Sequence, residues 1–278
     1  MIDMHIHTTA SDGTDTPEKI IEKCRKLNLE LCSICDHDTV ASQYTAVREV
    51  KKTKLQYLTG LELSVKHEGE IHLLGYGVDI ENDALKAEME VLRRSREARI
   101  GRIIEKLGEN NIRITFEDVA EVAHGETMGR PHVALALLGK GYVQDMQEAF
   151  EKYLGERGTC YVQRKKLTAE QAVATVKEAG GCPVIAHPKF IRTQNFEKLL
   201  KTLKEIGVEG IEAYYPAHTD AEVDYYVGLA KKYGLLVTEG SDYHGAVKPH
   251  TALASERRDG EMLRECVNFF RTKYVNRL

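Results

Sequence analysis

No segment of this 278-residue sequence reaches the roughly 18 consecutive apolar residues that a membrane-spanning helix needs. The sequence also lacks an opening of basic residues followed by an apolar stretch, which is the pattern of a secretory leader. We therefore expect a cytoplasmic protein without a membrane partner. The six cysteines form no zinc-binding pattern, and Cys32 and Cys35 fall within an apolar run, which predicts buried thiols.

A large excess of positive charge is missing as well. The 43 Asp and Glu residues outnumber the 39 Lys and Arg residues, and the net charge is −4. This balance disfavours tight binding to duplex nucleic acid, although it is compatible with a local basic pocket. Internal repeats and low-complexity segments are also absent, and the length suits one large core, or one core with a modest insertion.

Two parts of the chain, residues 1–78 and 165–278, alternate short apolar runs with helical patterns. Such alternation predicts an α/β fold with a largely parallel sheet. Thr16 and Pro17, for example, suit the N-cap and the first position of a helix. Strands are predicted at residues 2–6, 31–35, 55–58, 61–64, 70–76, 182–186, 208–214 and 235–239.

The segment between these parts, residues 79–164, has mostly helical patterns. We interpret it as a helical insertion that covers one rim of the sheet. Its first helix carries a cluster of arginines, which form either a solvated surface or a contact with phosphate. These arginines are Arg93, Arg94, Arg96, Arg99 and Arg102.

Side chains that favour metal ions recur at the ends of the predicted strands. His5 and His7 share one face of the first strand, because side chains repeat every two residues. We predict a multinuclear metal site on one rim of the sheet. Its nine candidate ligands are His5, His7, Asp12, His37, Glu62, His72, His187, Asp242 and His244. Imidazole and carboxylate ligands suit manganese, iron or zinc, and the lack of cysteine argues against a structural zinc site.

These motifs resemble one known family. The His5-Ile6-His7 start, Asp36-His37-Asp38, Gly60-Leu61-Glu62, His187-Pro188 and Ser241-Asp242 with His244 are similar to the ligand motifs of the polymerase and histidinol phosphatase (PHP) family. The resemblance implies a metal-dependent phosphoesterase on a distorted (β/α)7 barrel. The segments 129–132 and 212–218 are similar to the branch that includes 3′,5′-nucleotide bisphosphate phosphatase and a 5′–3′ exoribonuclease.

Carried over to this sequence, the resemblance implies two to three divalent ions. A first would bind His5, His7, Glu62 and Asp242; a second Glu62, His72 and His187; and a third Asp12, His37 and His244. Arg130, His132 and His218 would face the substrate phosphate, and Lys189 is a weaker candidate. Asp242 would act as general base, and His132 or His218 would protonate the leaving oxygen. Asp36 and Asp38 would orient His37.

We therefore predict hydrolysis of a phosphate monoester by a hydroxide that bridges two ions. The first expectation is a 3′,5′-bisphosphonucleotide such as pAp, which would yield a nucleoside 5′-monophosphate and phosphate. Alternatives are a 5′–3′ exoribonuclease on short 5′-phosphorylated RNA, a histidinol-phosphate or sugar-phosphate phosphatase, and a non-catalytic metal-stabilised interaction module. Tyr142, Tyr214 and Tyr215 are candidates for stacking on a base. The oligomeric state stays open.

Overall fold

The structure is a computed structural model that describes residues 1–67, 70–123, 127–254 and 260–275. Within these residues the strands are β1 (Ile2–Ile6), β2 (Leu31–Ile34), β3 (Gln56–Leu58), β4 (Gly60–Lys66), β5 (Glu70–Tyr76), β6 (Cys182–Ile185), β7 (Gly210–Tyr214) and β8 (Leu236–Glu239). The helices are α1 (Pro17–Lys26), α2 (Ala41–Val50), α3 (Asp83–Glu109), α4 (Phe116–Ala123), α5 (Arg130–Gly139), α6 (Met146–Ala149), α7 (Ala169–Glu178), α8 (Phe196–Glu205), α9 (Asp220–Tyr233) and α10 (Glu261–Lys273).

The mixed α/β class expected from the sequence is confirmed. Each predicted strand is present, with ends that differ by one or two residues, and segment 60–66 extends the predicted 61–64 strand. Thr16 caps α1 by accepting a hydrogen bond from the Lys19 backbone N–H, with Pro17 at the helix start. Thr168 caps α7 in the same manner, in a capping box with Gln171.

The strands form two sheets, in the orders β1-β2-β3 and β4-β5-β6-β7-β8. Four of the pairings are parallel, while β5 runs antiparallel to both β4 and β6. The sheets meet through two isolated parallel bridges, one from Ile6 to Tyr243 and one from His37 to Glu62. The described hydrogen bonds therefore do not form one closed barrel, and the expected (β/α)7 barrel is not confirmed.

The helical segment between β5 and β6 has a hydrophobic core of its own. Ile100, Ile103 and Leu107 of α3 pack there against α4, α5 and residues as far as Val162. The N-terminal half of α3 packs elsewhere, because Leu85 belongs to the main core beside α7 and the five-stranded sheet. A short π-helical turn, Phe150–Leu154, follows α6. Among the described residues, no helix has both the length and the apolar character that crossing a membrane requires.

Candidate metal centre

Five imidazole rings surround the carboxylate of Glu62, which is buried in β4. Its Oε1 lies 2.9 Å from His72 Nδ1, 3.0 Å from His187 Nε2 and 3.5 Å from His5 Nε2. Its Oε2 lies 2.9 Å from His37 Nδ1 and 3.3 Å from His7 Nε2. A single carboxylate with this many nitrogen neighbours is suited to bridging metal ions.

The nine candidate ligands form one continuous cluster around this carboxylate. Three overlapping groups have potential ligand atoms within 4.8 Å of one another: His7, Asp12, His37 and His244; His5, His7 and Asp242; and His37, Glu62 and His72. His187 joins the third group, because its Nε2 is 3.3 Å from His72 Nδ1. These groups overlap the expected three-ion division with two differences. His7 and His37 each belong to two groups, and Glu62 is absent from the group of His5, His7 and Asp242.

The strand-end rule that predicted these residues is wrong for two of them. His37, His187, Asp242 and His244 do follow the ends of β2, β6 and β8. Glu62 and His72 instead lie inside β4 and β5, each of which has seven residues. They come together because β4 and β5 are antiparallel, and His72 stands opposite Ser64 in the register, two residues from Glu62.

The contacts between these atoms fit a metal site better than a hydrogen-bond network. His37 Nδ1 is buried and 2.9 Å from Glu62 Oε2, yet it makes no hydrogen bond. Asp12 Oδ1 is likewise buried without a hydrogen bond, 3.3 Å from His244 Nε2. Since buried polar atoms are normally paired, atoms that approach each other without bonding are consistent with a shared cation between them.

The tautomers of two histidines also suit metal binding. His5 Nδ1 donates to Glu212 Oε1 at 3.0 Å, so neutral His5 presents the Nε2 lone pair to the cluster. His244 Nδ1 donates to the backbone oxygen of Asp242 at 2.8 Å, and its Nε2 faces Asp12 in the same way. Outer hydrogen bonds of this kind orient the imidazole ligands of metal sites.

Buried carboxylates behind the cluster hold its geometry. Glu212 accepts from His5 and also from the His187 backbone N–H at 2.7 Å. Asp36 accepts from the hydroxyls of Thr8 and Ser11 at 2.7 and 2.5 Å, and thereby orders the loop that carries Asp12. Asp36 was expected to orient His37, but its hydrogen bonds go to this loop.

Asp242 has different neighbours on its two oxygens. Oδ1 lies 3.3 Å from His7 Nε2 and faces the cluster. Oδ2 accepts from Tyr215 Oη at 2.9 Å and from Lys248 Nζ at 2.6 Å. Glu212 and Lys248 were not predicted as site residues; the only sequence signal for Lys248 is its place six residues after Asp242.

Three residues of the site have backbone conformations that L-amino acids rarely adopt. The φ angles are 52° at Asp38, 24° at His187 and 54° at Asp242. Strain of this kind costs on the order of 1–3 kcal/mol for each residue and concentrates at functional sites. Gly240 is close-packed as well, since a Cβ there would lie 2.3 Å from His5 Cβ.

The electrostatics of the cluster favour added positive charge. Burial opposes a charged His5, but Glu212 and Glu62 raise its pKa well above the usual value. For His7, burial again opposes the shift, while Asp242 and Glu62 raise the pKa to about 9. Burial would raise the pKa of Glu62, but the imidazoles hold it well below its usual range. Without ions, protons on His5 and His7 balance part of the negative charge of the carboxylates, and bound cations would replace those protons.

The residues expected to bind phosphate are held in different ways. Arg130 donates to the Leu154 backbone oxygen at 3.2 Å, in the π-helical turn, and its guanidinium lies over the Phe150 and Tyr161 rings. His132 is buried, and its Nδ1 accepts from the Gly129 backbone N–H at 3.0 Å. Its neutral form therefore carries the proton on Nε2.

His218 has the opposite tautomer. Its Nδ1 donates to the Ala213 backbone oxygen at 2.9 Å, and its buried Nε2 has no hydrogen-bond partner. Burial lowers the pKa of His218, so the neutral form with a lone pair on Nε2 is favoured. The Lys189 ammonium is already engaged, by the Ala217 backbone oxygen at 2.8 Å and Glu222 at 2.9 Å.

Asp38 joins the helical segment to the cluster instead of orienting His37. Its Oδ2 accepts from Arg96 Nε at 2.8 Å and pairs with Arg164 Nη2 at 2.9 Å. Among the stacking candidates, Tyr215 bonds to Asp242, Tyr142 bonds to the Arg113 backbone, and Tyr214 lies against Gly260. Base stacking by any of them stays a prediction.

Comparison with known proteins finds one family and several relatives. The family model described as PHP domain matches residues 3–234. A 5′-3′ exoribonuclease of Haemophilus influenzae is 30% identical over 245 residues, which are 87% of this chain and 89% of the relative. A phosphoribosyl 1,2-cyclic phosphate 1,2-diphosphodiesterase of Eggerthella lenta is 32% identical, over 87% of this chain and 94% of the relative. A 3′,5′-nucleoside bisphosphate phosphatase of Chromobacterium violaceum is 30% identical, over 87% of each chain.

A solved structure has the same arrangement of elements. It is a Bifidobacterium adolescentis protein assigned as a metal-dependent phosphoesterase, with a TM-score of 0.86 and 30% identity. The match covers 96% of this chain and 95% of that one. The helical segment is thus included in the shared architecture. The named relatives differ in substrate but have in common the cleavage of a phosphate ester.

Proposed function

This chain belongs to the PHP domain family of metal-dependent phosphoesterases, and from that premise we propose that it hydrolyses a phosphate monoester of a small nucleotide. The first candidate substrate is a 3′,5′-bisphosphonucleotide such as pAp. The observation that carries the proposal is the Glu62 carboxylate within 3.5 Å of five imidazole nitrogens. Hydrolysis by a hydroxide that bridges two ions needs cations next to one another, and the Glu62 carboxylate with its five imidazoles offers ligands for them.

We propose the ion assignment implied by the ligand motifs. A first ion would be held by His5, His7, Glu62 and Asp242; a second by Glu62, His72 and His187; and a third by Asp12, His37 and His244. Divalent ions at these positions acidify water and offset the charge that develops on phosphoryl oxygens. Manganese, iron and zinc all suit such ligands.

Protein groups next to the ions have separate roles in this proposal. Asp242 orients the attacking water through Oδ1, because Tyr215 and Lys248 already occupy Oδ2. We therefore favour this role over that of the proton acceptor. His132 carries its proton on Nε2 and is suited to donate to a phosphate or leaving-group oxygen. His218 presents a lone pair and is suited to accept from a hydroxyl or water. Arg130 supplies a fixed positive charge for phosphate.

The helical segment, residues 79–164, is proposed as the lid that restricts the substrate to small or single-stranded molecules. Its separate hydrophobic core supports this role, as does its attachment beside the metal ligand His37 through Asp38. The two bridges between the sheets also support a distorted barrel as the underlying architecture. A cytoplasmic location stays a prediction.

A substrate panel with metal-reconstituted protein tests the proposal. We expect pAp to be hydrolysed faster than histidinol phosphate or another sugar phosphate, with release of inorganic phosphate. Elemental analysis should find more than one ion per chain. Asp242→Asn should abolish turnover and leave the circular dichroism spectrum unchanged, and Asp224→Asn, an exposed carboxylate of α9, is the matched control.

Other outcomes point to the alternatives. A sugar phosphate as the best substrate would replace the nucleotide assignment. Faster cleavage of 5′-phosphorylated RNA than of pAp would favour the exoribonuclease, which the Haemophilus influenzae relative also supports. No turnover of any substrate by fully loaded protein would favour the non-catalytic module.

A further inference from the structure

A phenylalanine beside the metal cluster is the most exposed of the described large apolar side chains. Phe190 is 51% exposed. Its ring centroid lies 5.7 Å from the ring of the candidate ligand His187 and 5.8 Å from the ring of Tyr215, whose hydroxyl donates to Asp242. Water therefore meets an aromatic surface next to the cluster, and an apolar group that covered this surface would be stabilised by leaving water.

The backbone that carries Phe190 is held in place. The residue ends a short 3-10 turn, Pro188–Phe190, and its N–H donates to the His187 backbone oxygen at 3.2 Å. The next residue, Ile191, is buried in the main core. A ligand that packs on the Phe190 ring therefore does not have to order the turn, which lowers the entropic cost of binding.

The aromatic neighbours of Phe190 meet it at steep angles. The ring planes of Phe190 and Tyr215 are inclined by 87°, and those of Phe190 and His187 by 59°. Neither neighbour is stacked in parallel on Phe190, and no cation of the described residues lies over its ring. The geometry therefore suits a flat heteroaromatic group that stacks on this ring.

The tyrosine next to Phe190 offers much less accessible surface. Tyr215 is 9% exposed, and its ring centroid lies 5.6 Å from the His187 ring and 5.2 Å from the His218 ring. Its hydroxyl is engaged by Asp242. The accessible aromatic surface at this point of the cluster thus belongs to Phe190, which was not among the stacking candidates predicted from the sequence.

A cavity of the helical segment suits a phosphate better than a base. This basic cavity, of about 510 Å³, is bounded by the C-terminal half of α3, the end of β4 and residues 161–166. Seven of its eleven lining residues are Lys or Arg, and one, Glu156, is acidic. The guanidinium groups of Arg99 and Arg130 lie 5.5 and 5.8 Å from the centroid of the Tyr161 ring, so protein cations already pack on the cavity's tyrosine.

An ion pair joins the edge of the basic cavity to the turn that carries Phe190. Arg192, two residues after Phe190, pairs with Glu156 at 3.0 Å. The helical segment that we propose as the lid therefore reaches this turn, and a substrate between the lid and the cluster lies close to the exposed ring.

We propose that Phe190 determines specificity for nucleotides, by stacking on the base of a substrate whose phosphate ester lies at the metal cluster. The inference rests on the proposed phosphoesterase function and adds a binding site for the base to it. Only the ribose separates the base of a nucleotide from its 3′-phosphate, so a phosphate at the cluster brings the base to the neighbouring surface. Stacking does not read the edges of a base, so every base should be accepted.

Two substrates that differ only in the base test the proposal. They are pAp and 1,4-anhydroribitol 3,5-bisphosphate, which has hydrogen in place of the adenine, and both are assayed with the manganese-loaded full chain. Phe190→Ala should raise the KM for pAp roughly tenfold, as expected for the loss of one stack between a base and an aromatic ring. The kcat for pAp should stay within about twofold, because the stack is equally strong in the ground state and the transition state.

The abasic substrate and three control measurements separate this role from a structural one. Both KM and kcat for the abasic substrate should stay within about twofold in Phe190→Ala, since no stack is lost. Phe190→Tyr keeps the ring and should keep the KM for pAp. The matched control is Phe116→Ala, which removes another exposed phenylalanine, at the start of α4, and should behave like the unmodified protein. Elemental analysis should find equal metal content in all variants.

Two results would overturn the inference. One is an unchanged KM for pAp in Phe190→Ala. The other is an equal loss of turnover on both substrates, which would mean that Phe190 only supports the neighbouring His187.

A failure of the proposed function gives a different result, because the unmodified protein would then hydrolyse neither compound. Calorimetric binding of the same two compounds decides the inference in that case. Phe190→Ala should weaken the binding of pAp about tenfold and leave that of the abasic compound unchanged. Equal pAp affinity in Phe190→Ala and the unmodified protein would exclude stacking on this ring.

Discussion

The metal cluster and the basic cavity each bring many ionisable side chains close together, but those side chains contact different kinds of groups in the two regions. In the metal cluster, carboxylates and imidazoles approach to 2.9–3.8 Å and converge on shared points. In the basic cavity, like-charged side chains are held by backbone oxygens and aromatic rings. The cluster combines imidazoles with carboxylates, whereas the cavity is lined by seven Lys or Arg residues and one acidic residue.

This difference indicates the charge of the ligand that suits each region. The cluster has acceptor atoms in excess of donors, which suits small cations. The cavity is lined mainly by Lys and Arg side chains, which suit an anion. Asp38 links the two regions, because it directly follows the candidate ligand His37 and pairs with Arg164, which lines the cavity.

Breaking the cluster at its centre should have the largest effect. Glu62→Gln removes the charge that five imidazoles face, so we expect a roughly thousandfold loss of kcat/KM on pAp, equivalent to several kcal/mol of transition-state stabilisation. Elemental analysis should show fewer ions per chain. Glu205→Gln, an exposed change on α8, is the control and should keep full activity. Full metal content with full activity in Glu62→Gln would contradict a bridging role.

Breaking the ion pairs of Asp38, which link the two regions, should mainly lower the free energy of unfolding. Asp38→Asn removes the buried carboxylate that pairs with the partly buried Arg96 and the buried Arg164, and loss of one partner of a buried pair costs about 3–5 kcal/mol. Urea unfolding measures the change. Asp118→Asn, whose partner Lys140 is exposed, should unfold almost like the unmodified protein. Equal stability of the two variants would show that Asp38 does not anchor the helical segment.

Weakening the hydrogen bonds that hold the candidate ligands in place should have an intermediate effect on metal affinity. Glu212→Gln keeps the shape of the side chain but lessens its hold on His5 and on the His187 backbone, so we expect a 10- to 100-fold loss of metal affinity. Competition with a calibrated chelator measures it. Glu209→Gln, which changes contacts with Lys177 and the Cys182 thiol and none with a candidate ligand, provides the comparison. If both variants bind metal equally, His5 does not depend on Glu212.

Removing one cation from the cavity should have the smallest effect on stability. Arg99→Met loses one hydrogen bond to Val162, of about 1 kcal/mol, and relieves repulsion from Arg130 and Arg164, so the net change should stay below about 1 kcal/mol. Thermal unfolding and metal content report it, with the exposed Arg113→Met as the control. A loss of bound metal in Arg99→Met would mean that the two regions are not separable.

The sequence patterns predicted the secondary structure well, and they named the side chains that the structure brings together in the cluster. Alternation placed His5 of β1 and His7, which directly follows that strand, on one side, and Thr16-Pro17 marked the start of α1, as the structure shows. Both signals are local, because they depend only on backbone periodicity and on capping. The helical character of 79–164 and its arginine cluster were visible in the same way.

The contacts between distant segments were not predictable from those patterns. Asp38 has the same sequence context whether it orients His37 or pairs with Arg164, 126 positions away. Lys248 has no sequence signal of its own, and the motif that begins at Glu212 did not show that this carboxylate supports His5. Their partners come from segments that no short window contains.

The sequence by itself therefore determined which elements form, which side chains favour metal ions, and the family to which the chain belongs. Tertiary structure alone decided that Glu62 would stand among five imidazoles and that seven cations would line one cavity. The physical reason is that periodicity sets the direction of a side chain relative to its own strand or helix. Charge, burial and partners depend on how the separate strands and helices pack together.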